Sequence, residues 1–91
     1  MEKFKNRNEV LQSLRQLIAD TLCAGNGADR IEEKTDLRVT FRVRNAEIAR
    51  LAEPLTKCFG CRIAAEEARK FQTAGDIIDW LEKKGVVSYD S

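Results

Sequence analysis

Val10, Leu11, Leu14, Leu17, Ile18 and Leu22 recur with the 3.6-residue period of a helix. A stripe of this kind has to be buried, and in a chain of 91 residues it is buried against other helices of the same single core. Two further stripes meet that need. Ile48, Leu51, Ala52, Leu55 and Phe59 lie on one face of a second helix, and Ile77, Ile78, Trp80 and Leu81 are the buried residues expected of a last one. The punctuation between them is consistent. Asn6 or Asn8 can cap the first helix, which stops near Cys23 where AGNGADR begins. The second helix begins with Asn45 as its N-cap and Glu47 in its first turn, and Gly60 ends it. Pro54 lacks an N–H and should kink it or end its regular part. A short helix over Ala64 to Lys70 follows, flanked by Ile63 and Phe71. Thr73-Ala-Gly-Asp76 resembles a capping box for the last helix, which Lys83-Lys84-Gly85 closes. The expectation is an all-α bundle of three main helices plus a short one, in a single domain over 1–91 whose ends, 1–6 and 86–91, fray.

One stretch breaks the helical period. In RVTFRVRNAEI, Val39, Phe41 and Val43 alternate with Arg38, Thr40, Arg42 and Arg44, the period of a half-buried strand. It sits in a connection from residue 24 to 44, about 20 residues where packed helices usually need roughly 2–8. A lone strand has no partner in a helical bundle. The segment is therefore read as an extended loop pinned to the core by Val39, Phe41 and Val43, with Ile31 and Leu37 as earlier anchors.

Charge selects no partner class by itself, since 16 Lys and Arg against 15 Asp and Glu leave a net charge of +1. The charged start MEKFKNRNEV is unlike a signal peptide, and no apolar run reaches the ~20 residues that span a bilayer. A cytoplasmic protein with reduced thiols is expected.

From residue 31 to 81 the pattern resembles the acyl carrier protein family. Ile31, Leu37-x-x-x-Phe41 and the helix bearing Ile48, Leu51, Leu55 and Phe59 are similar to that family's loop and second helix. FGCRIAAEEARKFQTAGDIIDWLEKK matches its aromatic residue, Ile, acidic short helix, Thr-capped last helix and IDYI-like apolar face without a gap. These are mostly core positions, so they speak for fold more than for function. The resemblance implies an acyl-carrier-protein-like bundle. It also implies where the family's chemistry would stand: a Ser in an Asp-Ser-Leu motif, esterified with phosphopantetheine, at the start of the second helix. In the ungapped register that motif falls on Arg44-Asn45-Ala46, and an amide cannot form the ester. Sliding TDLRVTF onto the family's acidic-Leu-Gly run puts Phe41 there instead. No Ser occurs between Ser13 and Ser88, and Thr40, the nearest hydroxyl, precedes the helix without an acidic neighbour. The family's second helix is acidic, whereas residues 36–57 here hold five basic side chains and three acidic ones.

The expectation is therefore a non-catalytic, acyl carrier protein-like protein with Asn45 at a degenerate prosthetic-group position and no phosphopantetheine or other cofactor. It acts by protein–protein interaction through Arg38, Arg42, Arg44, Glu47 and Arg50. The implied partner is an enzyme of fatty acid or polyketide-type metabolism, or an acidic carrier protein. Two alternatives stay open: a functional carrier with an unusual attachment residue, and a small nucleic-acid-binding helical module in which VVSY pairs with RVTFRV. Against the second, EEARK and DIIDWLEKK would turn acids toward phosphates. Arg38, Arg42 and Arg44 with the N–H groups of residues 46–48 also suggest an anion site. Cys58-Phe-Gly-Cys61 lies at a helix C-terminus, where the dipole disfavours a reactive thiolate, and Cys23 is expected at the other end of the bundle. Without His, neither a zinc site nor general acid–base chemistry is supported. No membrane partner or metal is expected.

Overall fold

A computed structural model describes residues 2–22 and 27–89, leaving aside the side chains of Glu2 and Lys3. Cys23 lies outside the described residues, so its expected distance from Cys58 has no structural counterpart here. In chain order the elements are β1 (Glu2–Phe4), α1 (Arg7–Thr21), a 3-10 turn (Gly27–Arg30), α2 (Leu37–Phe41), α3 (Asn45–Ala49), α4 (Ala52–Phe59), α5 (Ala65–Ala68), α6 (Ala74–Lys83) and β2 (Val87–Tyr89).

The expected helical bundle is present. Asn6 caps α1, its Oδ1 accepting from the Glu9 N–H at 3.1 Å, while Glu9 Oε1 accepts from the Lys5 N–H at 2.9 Å. Val10, Leu11, Leu14, Ile18 and Ala19 of this helix are buried. They join Ile48, Leu51, Leu55, Ile77, Ile78 and Leu81 in one core cluster.

The second helical segment is broken at Arg50 and Leu51. The Arg50 and Leu51 N–H groups bond back three residues, to Glu47 and Ile48, and the four-residue spacing resumes with Leu55 on Leu51. Pro54 explains the position: it has no N–H for the Arg50 carbonyl and its ring crowds that group. The Thr73 capping box is two-sided, with Thr73 Oγ1 accepting from the Asp76 N–H and Asp76 Oδ2 from the Thr73 N–H, both at 3.1 Å.

Beyond Lys83 the chain turns back through a Schellman motif. Gly85 takes φ +71°, its N–H bonds the Glu82 carbonyl, and the Val86 N–H reaches Leu81 at 2.9 Å. That turn sends β2 alongside β1 in parallel, with Glu2 opposite Val87 and Phe4 opposite Tyr89. Within the end segments 1–6 and 86–91, residues 2–4 and 87–89 form a small sheet added to the helical bundle, and residues 1, 90 and 91 lie outside the described residues. Phe4 packs against Phe59 with ring centroids 6.5 Å apart. The Tyr89 hydroxyl donates to Glu82, and burial, then that bond, push its pKa up to about 12.

Three corrections concern local conformation. Residues 37–41 are helical, not an extended loop, because Asp36 caps them: its Oδ1 accepts from the Arg38 and Val39 N–H groups at 3.0 and 3.1 Å. In a helix alternate residues do not share a face. Leu37 is thus buried, Val39 stands 75% exposed and anchors nothing, and Phe41 and Val43 pack only partly against the core. Asn45 is the first helical residue of α3, and the extended residue before it, Arg44, is the N-cap. Trp80, expected in the core, is half-buried.

The long connection is held at both sides. Arg15 Nε donates to the Ile31 carbonyl at 2.8 Å, the Leu37 N–H bonds Gln72, and Asp36 forms a β-bridge with Thr73. Arg7 clamps three elements, bonding Glu33 at 2.6 Å and Asp79 and Glu82 at 2.8 Å each, and the Glu33 bond is the chief reason its pKa is raised. At Gly75 the N–H donates to the Glu33 carbonyl at 2.9 Å, and a Cβ there would stand only 2.9 Å from that oxygen. Gly75→Ala is therefore expected to destabilise the fold by about 1–3 kcal/mol although Ala is the better helix former. The urea midpoint measures this, and an unchanged or raised midpoint would show that the connection is not held there.

Candidate functional site

The position that the resemblance marks for a prosthetic group lies at the start of α3, where the chain leaves α2. Arg42, with φ +54°, ends α2 in the left-handed region, and Arg44 is extended at φ −104°, ψ 175°. Glu47 Oε2 accepts from the Arg44 N–H at 2.6 Å. An Arg side chain has no acceptor to return, so this is half of a capping box.

Asn45 is exposed, but its side chain is engaged. Its Oδ1 accepts from Arg38 Nε at 2.5 Å, while Arg38 Nη1 donates to the Phe71 carbonyl at 2.7 Å and Nη2 to the Arg69 carbonyl. One guanidinium thereby joins α2, the first residue of α3 and the turn between α5 and α6, using the planar fork that Lys does not have. Asp36 braces the same corner. Its Oδ2 accepts from Gln72 Nε2 at 3.0 Å, and this bond, followed by the Val39 N–H, holds the carboxyl below its usual range.

Beside Asn45 a cleft of about 280 Å³ opens between α3 and α5, lined by Asn45, Ala46, Ala49, Ala65, Glu66 and Arg69. Its walls are largely alanine methyls, with one acid and one base at the edge. Ala65 and Arg69 were not singled out in the sequence, although 65, 66 and 69 have the spacing of a single helical face.

The five residues expected to meet a partner divide into two groups. Arg42, Arg44 and Arg50 are exposed, and the ion pairs among the described residues belong to Arg7 and Lys57, so none of these three guanidinium groups is in one. Arg38 and Glu47 are occupied, one as the corner staple and the other as the α3 cap. The anion site suggested by the arginine spacing loses its geometry for the same reason. Arg38 is bonded inward, and the Glu47 and Ile48 N–H groups already bond the Arg44 carbonyl. Cys58 is exposed and Cys61 half-buried, just beyond the left-handed turn at Gly60. No group of three His, Cys, Asp or Glu side chains placed to hold a metal occurs among the described residues.

No family model matches the chain, and no solved structure matches it. It is similar to curated proteins named acyl carrier protein. That of Rubrobacter xylanophilus is 26% identical over 76 residues, covering 84% of this chain and 91% of that protein. That of Thermosynechococcus vestitus is 24% identical over 79 residues, covering 87% and 95%. These likenesses run nearly end to end and support a distant relation to acyl carrier proteins. No helix among the described residues is long and apolar enough to cross a membrane.

If Arg38 is a staple, Arg38→Ala should cost about 1–2 kcal/mol through its lost bonds to partly exposed carbonyl and amide oxygens. Arg42→Ala, which keeps a Cβ in the same left-handed conformation, should stay within about 0.5 kcal/mol. Paired denaturant titrations distinguish them, and equal midpoints would remove Arg38 from the architecture.

Proposed function

We propose that this protein keeps the acyl-carrier type of bundle as a docking module and carries no phosphopantetheine. The observation that carries the reading is the chemistry at Asn45. The attachment position of the resembling family is occupied by a carboxamide, which has no hydroxyl to esterify and whose oxygen is held by Arg38. The distant relation to proteins named acyl carrier protein supports the scaffold and a partner in acyl metabolism.

The protein is not a catalyst in this reading and works as a soluble cytoplasmic component. The face presented to its partner contains the α3 start and the exposed guanidinium groups of Arg42, Arg44 and Arg50. A cationic patch of this kind suits an acidic surface, either on an enzyme of fatty acid or polyketide-type metabolism or on an acidic carrier protein.

Co-expression with a phosphopantetheinyl transferase followed by intact-mass measurement tests the attachment claim. The expected result is the unmodified chain mass, with a bona fide carrier modified in parallel. A phosphopantetheine increment on this chain would overturn the reading. For the docking face, Arg44→Glu combined with Arg50→Glu is expected to abolish co-purification of the native partner with the helical circular-dichroism signal intact. Undiminished co-purification would remove this face from the mechanism.

A further inference from the structure

A second cleft, of about 300 Å³, lies on the other side of α5. Ala65, Glu66 and Arg69 line the Asn45 cleft, whereas Glu67, Lys70 and Phe71 line this one, facing Trp80, Lys83 and Lys84 of α6. Its floor is aromatic: Phe71 meets Trp80 edge-on with ring centroids 6.4 Å apart. Trp80 is held in place by its Nε1–H, which donates to Glu67 Oε2 at 2.7 Å, and the Lys84 ammonium lies 5.7 Å from the ring centre.

The charge around this floor is predominantly positive. Lys70, Lys83 and Lys84 are exposed, and none has a carboxylate within ion-pair distance among the described residues. The acid in the lining, Glu67, accepts the indole N–H and keeps its charge, so three cations stand against one anion. Lys83 and Lys84 stand at the end of α6 and Lys70 in the turn after α5, so two elements bring their cations to the one cleft.

We propose that the Trp80 cleft docks an acidic segment of a partner protein. An apolar side chain sits against Trp80 and Phe71, and flanking carboxylates engage Lys70, Lys83 and Lys84. The volume is at the low end of roughly 300–1,000 Å³ for ligand sites, suited to a single large side chain rather than a folded surface. A nucleic-acid strand fits less well. A strand needs a basic groove that tracks its backbone and successive aromatic faces for its bases, whereas this cleft offers three lysines around a single aromatic pair. The surface is distinct from the Asn45 face and does not depend on the reading of that face.

Trp80 is the single Trp of the chain, so its emission reports the cleft directly. The probe is an acetylated, amidated peptide EDFDE, titrated into the full chain and compared with EDSDE and KKFKK. A saturable change in emission is expected with EDFDE, with affinity falling about ten-fold between roughly 0.05 M and 0.5 M salt. EDSDE should bind about ten-fold more weakly and KKFKK not at all. Lys83→Glu with Lys84→Glu should weaken EDFDE about ten-fold or more, whereas Arg44→Glu with Arg50→Glu should leave it unchanged. Several outcomes would overturn the proposal: no saturable response to EDFDE, equal binding of EDSDE or KKFKK, equal binding by the folded lysine variant, or tighter binding of phosphatidylserine vesicles or a single-stranded oligonucleotide. Should the lysine variant lose its helical signal, the salt dependence and the peptide comparison on the unaltered chain decide the matter.

Discussion

The backbone of residues 31–37 has to find hydrogen-bond partners while Ile31 and Leu37 are driven into the core, and the rest of the architecture follows from where it finds them. It finds them at the start of α6. Gly75 donates to Glu33, Leu37 donates to Gln72, and Asp36 bridges Thr73. Those bonds join the long connection to the last helix and leave Asp36 where it caps α2. The capped helix turns Arg38 inward. Arg38 then reaches Phe71, Arg69 and Asn45, so the shape of the α3 start depends on a bond network that begins some ten residues earlier.

This network also bears on function. A residue that carries a prosthetic group must present an unoccupied nucleophile. In the function proposed above Asn45 stands at that position, where the amide has no hydroxyl and its oxygen is bonded to Arg38. The neighbouring exposed guanidinium groups, those of Arg42, Arg44 and Arg50, are in no ion pair among the described residues. The short helix α5, with only four residues, gains importance from its position: its two sides contribute to two clefts of different chemistry, one lined by alanine methyls and one by an aromatic pair ringed with lysine.

Much of the bundle was legible because its signals are local. The stripe of α1, the Thr73–Asp76 capping box and the basic, Gly-terminated end of α6 all operate within a few residues, and each is realised. The site was less legible. Arg38, Arg42 and Arg44 look equivalent in sequence, yet Arg38 is committed inward and the other two are exposed. Alternation in RVTFRV is a true pattern, but a five-residue helix capped by Asp36 overrides it and leaves Val39 in solvent. The break near Pro54 was expected from the ring and the missing N–H, and it falls one turn before the proline, where the Arg50 carbonyl loses its donor.

Sequence alone therefore determined the helical class, the apolar faces, most caps and the absence of a hydroxyl at position 45, because these depend on residue type and on spacings within one or two turns. Tertiary structure decided that residues 2–4 pair with 87–89, that Arg38 is a staple, and that Trp80 floors a lysine-rimmed cleft. Each of those joins segments remote in sequence, 85 residues apart for Glu2 and Val87 and 33 for Arg38 and Phe71. No local period encodes such a contact. It exists only once the core has brought the segments within hydrogen-bonding and packing distance.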